Sequence, residues 1–307
     1  MRLVVLCVLS VFLTVLGSYA QEIDTLPFVK IENRMNVLFT EISQNKSPER
    51  NEELHAELCT VFDSVLAVPE SYEYSFNALK CAQATSPDNF FRIFSWFVLQ
   101  EAGVYKVKAY VQINPEYMCD TMVYAMQNTI EQLPDSIEHM KKDIHDWFPA
   151  CYYDIIVVEK NDAKIYTLLG WSPFSPLSQY KVIEAVRISN CVPTFGVPTF
   201  LNGEQDTVSR IVFNYSAKSS MLMKYQKKWR SEQIVFDHLS PSSSEYTDIP
   251  EFYGPDGTYN SYEYDDEMWT FRENIDITNK GSRFRDFFEN LFKSSDSEVY
   301  SDKDELY

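Results

Sequence analysis

A succession of short aromatic and β-branched segments, beginning near residue 89, limits the folds open to this chain. Residues 90–98 are dense in such side chains, and residues 104–113 alternate with a period of two after a Gly-containing loop. Two runs of this kind around a short loop predict a β-hairpin. Eight further segments have the same texture: 151–158, 164–171, 181–188, 209–215, 220–225, 232–238, 258–264 and 268–273. We therefore expect a mainly antiparallel β-meander, arranged as an open sheet, a sandwich or a barrel-like structure.

Helical patterns flank and interrupt this β-rich sequence. Apolar residues recur near helical spacing between residues 21 and 82, and Ser47-Pro48 supplies a cap and a first helical residue. A second helical pattern lies near 119–148, where Ile137, Met140, Ile144 and Trp147 are separated by three, four and three residues. The pattern predicts an α+β fold with a helical N-terminal region at 21–82. A β-rich domain at 83–292 follows, with one helical insertion near 119–148.

The two ends of the chain have compositions of their own. Met1-Arg2 precedes an apolar run, and Ser18-Tyr19-Ala20 places small residues before Gln21, which is typical of a cleaved secretory signal peptide at 1–20. The apolar run is shorter than a membrane-spanning helix requires. We expect an exported protein, periplasmic or extracellular, with no membrane span after cleavage. Residues 293–307 contain five acidic residues and two Lys, which predicts a disordered acidic tail.

The charge balance and the small number of glycines exclude several functions. The 27 Lys and Arg stand against 45 Asp and Glu, so the chain of 307 residues carries a formal charge of −18. A nucleic-acid partner is disfavoured, because phosphate binding needs clustered positive charge. Only 8 glycines are present and no G-x-G occurs, so neither a dinucleotide loop nor a phosphate-binding loop is available. We expect no cofactor.

The cysteines of the chain are compatible with export but do not define a set of disulfide bonds. Five cysteines follow the expected cleavage site, an odd number that leaves at least one thiol free or paired between chains. No C-x-x-C occurs, and no Cys has a His at ligand spacing, which disfavours structural zinc. Buried thiols with at most one bridge are the favoured interpretation, and the sequence does not select the pairing. These cysteines are Cys59, Cys81, Cys119, Cys151 and Cys191.

Motifs for common catalytic chemistry are missing or incomplete. Gly170-Trp171-Ser172-Pro173 begins a nucleophile elbow, but Phe174 replaces the final glycine that the strained turn requires. The four histidines contain no H-E-x-x-H pair. We therefore assign no catalytic residue, and we leave metal binding open.

Four segments of the chain form a recognisable set: Ser86–Trp96, Tyr166–Trp171, Ile234–Pro241 and Phe252–Tyr259. Together they resemble a family of uncharacterised exported proteins from Bacteroidetes-type bacteria. Their order and separation are also similar, over roughly residues 30 to 280. The resemblance implies an exported β-rich protein without an assigned reaction, and it transfers no catalytic residue. One departure is the Pro- and Ser-rich stretch 172–176, where a polar turn is expected.

Candidate ligand-binding residues come from strand ends and turns within these segments, where functional groups collect on a rigid sheet. Four of the five also lie in the stretch 237–276, which has eleven acidic residues and one Arg. The ligand is an unidentified small molecule, glycan or protein, and calcium is a further alternative, although no calcium-loop motif occurs. The candidates are Trp171, Asp237, His238, Tyr253 and Asp256.

Two hypotheses for function remain open. The first is a non-catalytic binding or envelope-associated module, favoured by the export signal and the missing catalytic motifs. The second is a secreted, carboxylate-based hydrolase directed at glycans, with its acids among Asp237, Asp256 and Glu273. Glycoside hydrolysis needs only two suitably spaced carboxylates, which leave no motif.

Overall fold

The computed structural model describes residues 26–44, 47–100, 104–129, 133–173, 175–228 and 231–276. The expected signal peptide at 1–20 and the expected acidic tail at 293–307 lie outside these ranges. None of the helices in the described ranges is long and apolar enough to cross a membrane.

The N-terminal region forms two α-helices, α1 (Leu26–Ser43) and α2 (Pro48–Leu66), followed by a 3₁₀ turn at Pro69–Glu73. Ser47 is the N-cap of α2, and its hydroxyl accepts a hydrogen bond from the Arg50 N–H at 3.2 Å. Pro48 occupies the first helical position, where a missing N–H costs no hydrogen bond. The expected helical N-terminal region is consistent with this structure.

The remainder of the described chain is mainly β-structure, as expected, and the predicted hairpin is confirmed as β2 and β3. The strands are β1 (Ala82–Thr85), β2 (Phe91–Leu99), β3 (Tyr105–Ile113), β4 (Val123–Thr129), β5 (Cys151–Lys160), β6 (Ala163–Pro173), β7 (Ser178–Ser189), β8 (Val192–Phe195), β9 (Phe200–Leu201), β10 (Thr207–Val208), β11 (Arg210–Ser216), β12 (Met223–Lys228), β13 (Ser231–Pro241), β14 (Tyr253–Asp265) and β15 (Met268–Arg272).

These strands form three sheets in the described residues. Sheet 1 has the order β1-β2-β3-β4, sheet 2 the order β11-β7-β6-β5 with β8 paired to β7, and sheet 3 the order β10-β9-β15-β14-β13-β12. Most neighbouring strands follow one another in the chain and pair antiparallel, as in a meander. The pairing of β15 with β9 is parallel.

The helices and sheets stack as four layers with a separate apolar core at each contact. Leu38 and Phe62 of the helices pack with Phe94 on one face of sheet 1. The other face of sheet 1 packs on sheet 2, and the opposite face of sheet 2 packs on sheet 3. Neighbouring residues of one strand divide between the two cores of sheet 2, since Leu168 joins the first and Leu169 the second. Sheet 2 is therefore covered on both faces.

The expected helical insertion near 119–148 is wrong for the described residues. Residues 123–129 form β4 at the edge of sheet 1, and the only helical turn in the described part of this stretch is a 3₁₀ turn at Ile137–His139. Ile137 and Trp147 are buried, but in the core between sheets 1 and 2 rather than on one helical face. The apolar spacing that resembled a helix therefore comes from tertiary packing.

A buried ion pair holds this irregular segment against sheet 2. Arg210 on β11 and Glu184 on β7 have fully buried side chains, and Arg210 Nε donates to Glu184 Oε1 at 2.7 Å. Arg210 Nη1 also donates to the carbonyl oxygens of Ile137 and Met140. The hydroxyl of Tyr152 donates to the other oxygen of Glu184. The guanidinium thus satisfies carbonyl groups that an α-helix would have satisfied internally.

One disulfide joins sheet 1 to sheet 2 in the described chain. Cys119 follows the 3₁₀ turn after β3, and Cys191 lies in the turn between β7 and β8. Three described thiols are free, Cys59, Cys81 and Cys151. The favoured interpretation, buried thiols with at most one bridge, is confirmed for the single bridge and for Cys151, whereas Cys59 and Cys81 are only half-buried.

Candidate ligand-binding site

The five candidate residues fall into two groups on different sheets. Asp237 and His238 lie on β13, and Tyr253 and Asp256 lie on β14, so four of the five belong to sheet 3. Trp171 lies on β6 in sheet 2. The structure therefore brings together the four residues from the acidic C-terminal strands and leaves Trp171 at a separate place.

A bulge in the pairing of β13 with β14 creates the first group. Asp237 pairs with Tyr259 and Leu239 pairs with Pro255, so one residue of β13 lies opposite three residues of β14. Gly257 in the bulge has a φ of +89°, a conformation that favours glycine. The additional residues of β14 in this bulge place Asp256 next to His238.

His238 and Asp256 form a close pair at this bulge. His238 Nδ1 lies 2.7 Å from Asp256 Oδ2, while the N–H and the hydroxyl of Thr258 donate to Oδ1 at 2.9 and 2.7 Å. The hydrogen bonds from Thr258 lower the pKa of Asp256 to about 2, and His238 contributes in the same direction. The carboxylate is ionised at neutral pH and accepts only, so Nδ1 carries the proton. The Nε2 atom of His238 has no hydrogen-bond partner among the described residues.

Asp237 lies beside this pair without joining it. Its Oδ2 accepts a hydrogen bond from the Leu222 N–H at 2.6 Å. Burial raises the pKa of Asp237, and the charge of Asp256 raises it further. Asp237 and His238 are neighbours on β13, and their side chains bond to different partners, the Leu222 N–H and the Asp256 carboxylate.

Tyr253 closes the turn that precedes β14. The Asp248 N–H donates to the Tyr253 hydroxyl oxygen at 3.2 Å, and Tyr253 pairs with Pro241 across the sheet. Its ring packs against the core between sheets 2 and 3. These contacts give Tyr253 a structural role beside the His238–Asp256 pair.

Replacing Asp256 with Asn is expected to lower the free energy of unfolding by about 1 kcal/mol at neutral pH, because hydrogen bonds to a charged group are lost at a partly solvated site. The folded-state pKa is depressed, so the contribution is present above about pH 4 and is lost as the pH falls toward 2. Urea unfolding of both proteins at pH 7 and near pH 2 measures the difference. Exposed Asp135→Asn is the matched control. An Asp256→Asn effect of equal size at both pH values would contradict this assignment.

The pair has one feature of an acid–base centre, a histidine oriented by a carboxylate. A nucleophile within hydrogen-bond reach of the histidine is the second requirement, and no described Ser, Thr or Cys side chain bonds to His238. Both oxygens of Asp256 already accept hydrogen bonds from the protein. Among the described residues, the arrangement is an ordered polar contact surface rather than a completed catalytic triad.

Trp171 lines an apolar cavity of about 560 Å³ between α1, sheet 1 and sheet 2. Its Nε1 donates to Gln179 Oε1 at 2.7 Å, and its ring meets the edge of Phe97 at 5.3 Å between centroids. Phe97 in turn contacts Tyr105 at 5.7 Å. Phe39 and Ile42 of α1 form part of the opposite wall. Three layers of the fold therefore contribute side chains to one cavity.

Two free thiols, Cys81 and Cys151, also line this cavity. Burial raises the pKa of both thiols, that of Cys151 to about 12. Both are therefore protonated at neutral pH and act as small apolar groups, since the thiolate is the reactive form.

Sequence reasoning identified Trp171 but missed the other walls of its cavity. Phe97 and Tyr105 were assigned only to the hairpin, and Phe39 and Cys81 were assigned no site. One available signal was the density of aromatic residues in β2, where both faces carry large rings. The sequence did not show that the two faces of β2 pack against different layers of the fold, the helices and sheet 2.

In the described residues, no three side chains among His, Cys, Asp and Glu are grouped so that they could hold a metal ion. No protein-family model, curated protein or solved structure was found to match the chain.

Proposed function

We propose that this protein is an exported, non-catalytic binding protein whose cavity at Trp171 takes a small, largely apolar molecule. The observation that carries the proposal is the cavity of about 560 Å³, walled by aromatic side chains from sheets 1 and 2 and apolar side chains from α1. Binding sites for small molecules typically enclose about 300 to 1,000 Å³ and are lined by apolar and aromatic groups with few polar ones.

The chemistry of the wall indicates the ligand class. Among the described residues that line the cavity, Lys80 is the only charged one, and it is exposed with its Nζ donating to Thr40 Oγ1 at 3.0 Å. Apart from Ser43 and Ser95, the other described side chains of the wall are mainly apolar or aromatic, so a charged ligand group among them would lack a partner, at a high cost in free energy. An uncharged, ring-containing molecule fits these walls best, and a glycan stacked on Trp171 is the next alternative.

The protonation of the thiols supports binding rather than catalysis at this cavity. Cys81 and Cys151 are the two thiols in the wall, and burial keeps both protonated at neutral pH. None of the described residues that line the cavity is a histidine that could remove their protons. A bound ligand would therefore contact thiols that do not react with it.

Export is proposed from the N-terminal sequence and is supported by the disulfide between Cys119 and Cys191. Disulfides persist in oxidising compartments such as the periplasm and the cell exterior. Kinship with the exported Bacteroidetes-type proteins is likewise a proposal, supported by the four segments given above.

The runner-up is a carboxylate-based hydrolase on sheet 3. One observation favours it: the pKa values of the neighbouring Asp237 and Asp256 move in opposite directions, as in acid–base pairs. Against it, the carboxylate of Asp256 is fully engaged by Thr258 and His238. Binding at the apolar cavity is therefore better supported.

Titration of the mature protein with the uncharged fluorescent probe N-phenyl-1-naphthylamine tests the proposal. Trp171→Ala removes one wall and is expected to raise the Kd about tenfold, the usual loss for truncating an aromatic anchor. Ala82→Leu, also on the wall, fills the cavity and is expected to weaken binding similarly without removing any contact. Fluorescence enhancement gives the Kd of each variant.

Phe252→Ala is the matched control, because Phe252 is an exposed ring stacked on Tyr246 outside the cavity. Its Kd is expected to equal that of the unmodified protein. Unchanged affinity in both cavity variants, or loss of affinity in the control alone, would place the apolar site elsewhere.

A further inference from the structure

A second cavity, of about 440 Å³, lies where the 3₁₀ turn at 69–73 meets β1 and β2. It shares no lining residue with the apolar cavity at Trp171. Its wall combines amide and hydroxyl groups with a few apolar side chains. Its polar residues include Glu73, Ser75, Asn77, Gln83, Asn89 and Arg92.

Arg92 is the central residue of this cavity. Its side chain rises from β2 among aromatic rings, and the residue is only 5% exposed. Nε donates to Gln112 Oε1 at 2.8 Å, Nη1 to the Tyr74 carbonyl at 2.7 Å and Nη2 to the Ser71 carbonyl at 2.8 Å. The guanidinium carbon lies 4.9 Å from the centre of the Phe94 ring. The cation is therefore fixed in one place before any ligand arrives.

No carboxylate in the described residues forms an ion pair with this cation. Its three hydrogen bonds go to neutral oxygens, and the nearest acidic group in the wall, the exposed Glu73, acts on it only over a longer distance. Burial lowers the pKa of Arg92 to about 10. A buried charge without a counter-ion is costly, and an anion beside it offsets that cost.

The guanidinium also keeps hydrogen-bonding capacity. It has five N–H donors, two on each terminal nitrogen, and each terminal nitrogen makes one hydrogen bond in the structure. One N–H on Nη1 and one on Nη2 therefore remain. The planar group suits the two oxygens of a carboxylate better than a single acceptor.

We propose that this cavity binds a small monocarboxylate, with Arg92 as the anion-binding residue. A single negative charge matches the single cation, whereas Glu73 in the wall and the chain's net charge of −18 oppose a divalent anion such as phosphate. Ile93 and Phe94 supply an apolar part of the wall for the body of the ligand. The site is independent of the apolar cavity and adds a second ligand class.

Calorimetric titration with benzoate, with its neutral isostere benzamide and with inorganic phosphate tests the proposal on the full mature chain. Benzoate is expected to bind at least about tenfold more tightly than either of the others, because only benzoate presents one charge on a planar group. Equal affinity for benzoate and benzamide, or no binding of either, would overturn the proposal. Tighter binding of phosphate would overturn the choice of a monocarboxylate.

Asn77→Asp places a negative charge in the wall without touching any hydrogen bond of Arg92. Benzoate affinity is expected to fall about tenfold, while the Tm in the absence of ligand stays at or above that of the unmodified protein, because the new carboxylate itself faces the cation. Gln205→Glu adds the same charge on an exposed turn of sheet 3 and is expected to leave the benzoate Kd unchanged. An Asn77→Asp variant with unaltered benzoate affinity would show that Arg92 only holds the 3₁₀ turn in place.

Discussion

Replacing Glu184 with Gln is expected to lower the free energy of unfolding by about 3 to 5 kcal/mol. Glu184 and Arg210 are both fully buried, and the carboxylate accepts hydrogen bonds from Arg210 and Tyr152. The neutral amide leaves the guanidinium charge in the interior without a counter-ion. An unpaired buried charge of this kind causes most of the loss of stability when one partner of a buried ion pair is removed. Urea unfolding, followed by circular dichroism, measures the loss, and we expect Tm to fall by about 10 °C.

The double variant Glu184→Leu, Arg210→Met is the matched control. It removes both charges, so it is expected to be more stable than the single variant, although Ile137 and Met140 lose the donor to their carbonyl groups. A single variant within about 1 kcal/mol of the unmodified protein, or a double variant that is less stable than the single one, would show that the pair does not hold the fold in this way.

Removing the disulfide with Cys119→Ser and Cys191→Ser together is expected to cost about 4 kcal/mol. The two cysteines are separated by 72 residues, and the cross-link restricts the unfolded chain by an amount that grows with the length of the loop. It also ties sheet 1 to sheet 2. Denaturant unfolding in the absence of reductant measures the loss.

Two comparisons isolate the cross-link from the substitutions themselves. A reducing agent is expected to destabilise the unmodified protein and to leave the double Ser variant unchanged. Cys59→Ala removes a half-buried free thiol and is expected to cost less than about 1 kcal/mol. Reductant sensitivity that persists in the double Ser variant would contradict the assignment of this bridge.

Local signals account for the parts of the fold that the sequence predicted. Ser47 and Pro48 set the start of α2 through contacts within one helical turn. The hairpin of β2 and β3 joins neighbouring segments, and the expected strands at 258–264 and 268–273 correspond to β14 and β15, which pair with each other. In each case the chemistry that fixes the structure lies within a few residues of the chain.

Long-range packing explains the principal error. Ile137, Met140 and Trp147 have helical spacing, yet the carbonyl groups that a helix would bond internally are bound by Arg210, more than 60 residues later in the chain. β4, assigned to the same expected insertion, pairs with β3 at the edge of sheet 1. Sequence periodicity carries no information on such distant partners.

For the candidate site, as for the fold, the sequence predicted individual residues but not their arrangement in space. His238 and Asp256 were chosen as turn and strand-end residues, but their pairing depends on a bulge that lets three residues of β14 face one of β13. The wall at Trp171 depends on how the helices and two sheets stack. Arg92 gave a local signal, a charged residue inside a strongly apolar strand, although its cavity is formed by residues of the preceding turn.

The covered position of sheet 2 has an evolutionary consequence. Six successive residues of β6, from Ile165 to Gly170, are buried, and a side chain added at Gly170 would come within 2.9 Å of Tyr152 and Val182. Each substituted side chain in this stretch has to fit one of two packed cores, whereas a solvent-facing position has to fit neither. The sequence of β6 is therefore expected to change more slowly during evolution than the sequences of the outer layers. Similarity to a distantly related protein is then expected to be detectable first in residues 163–173.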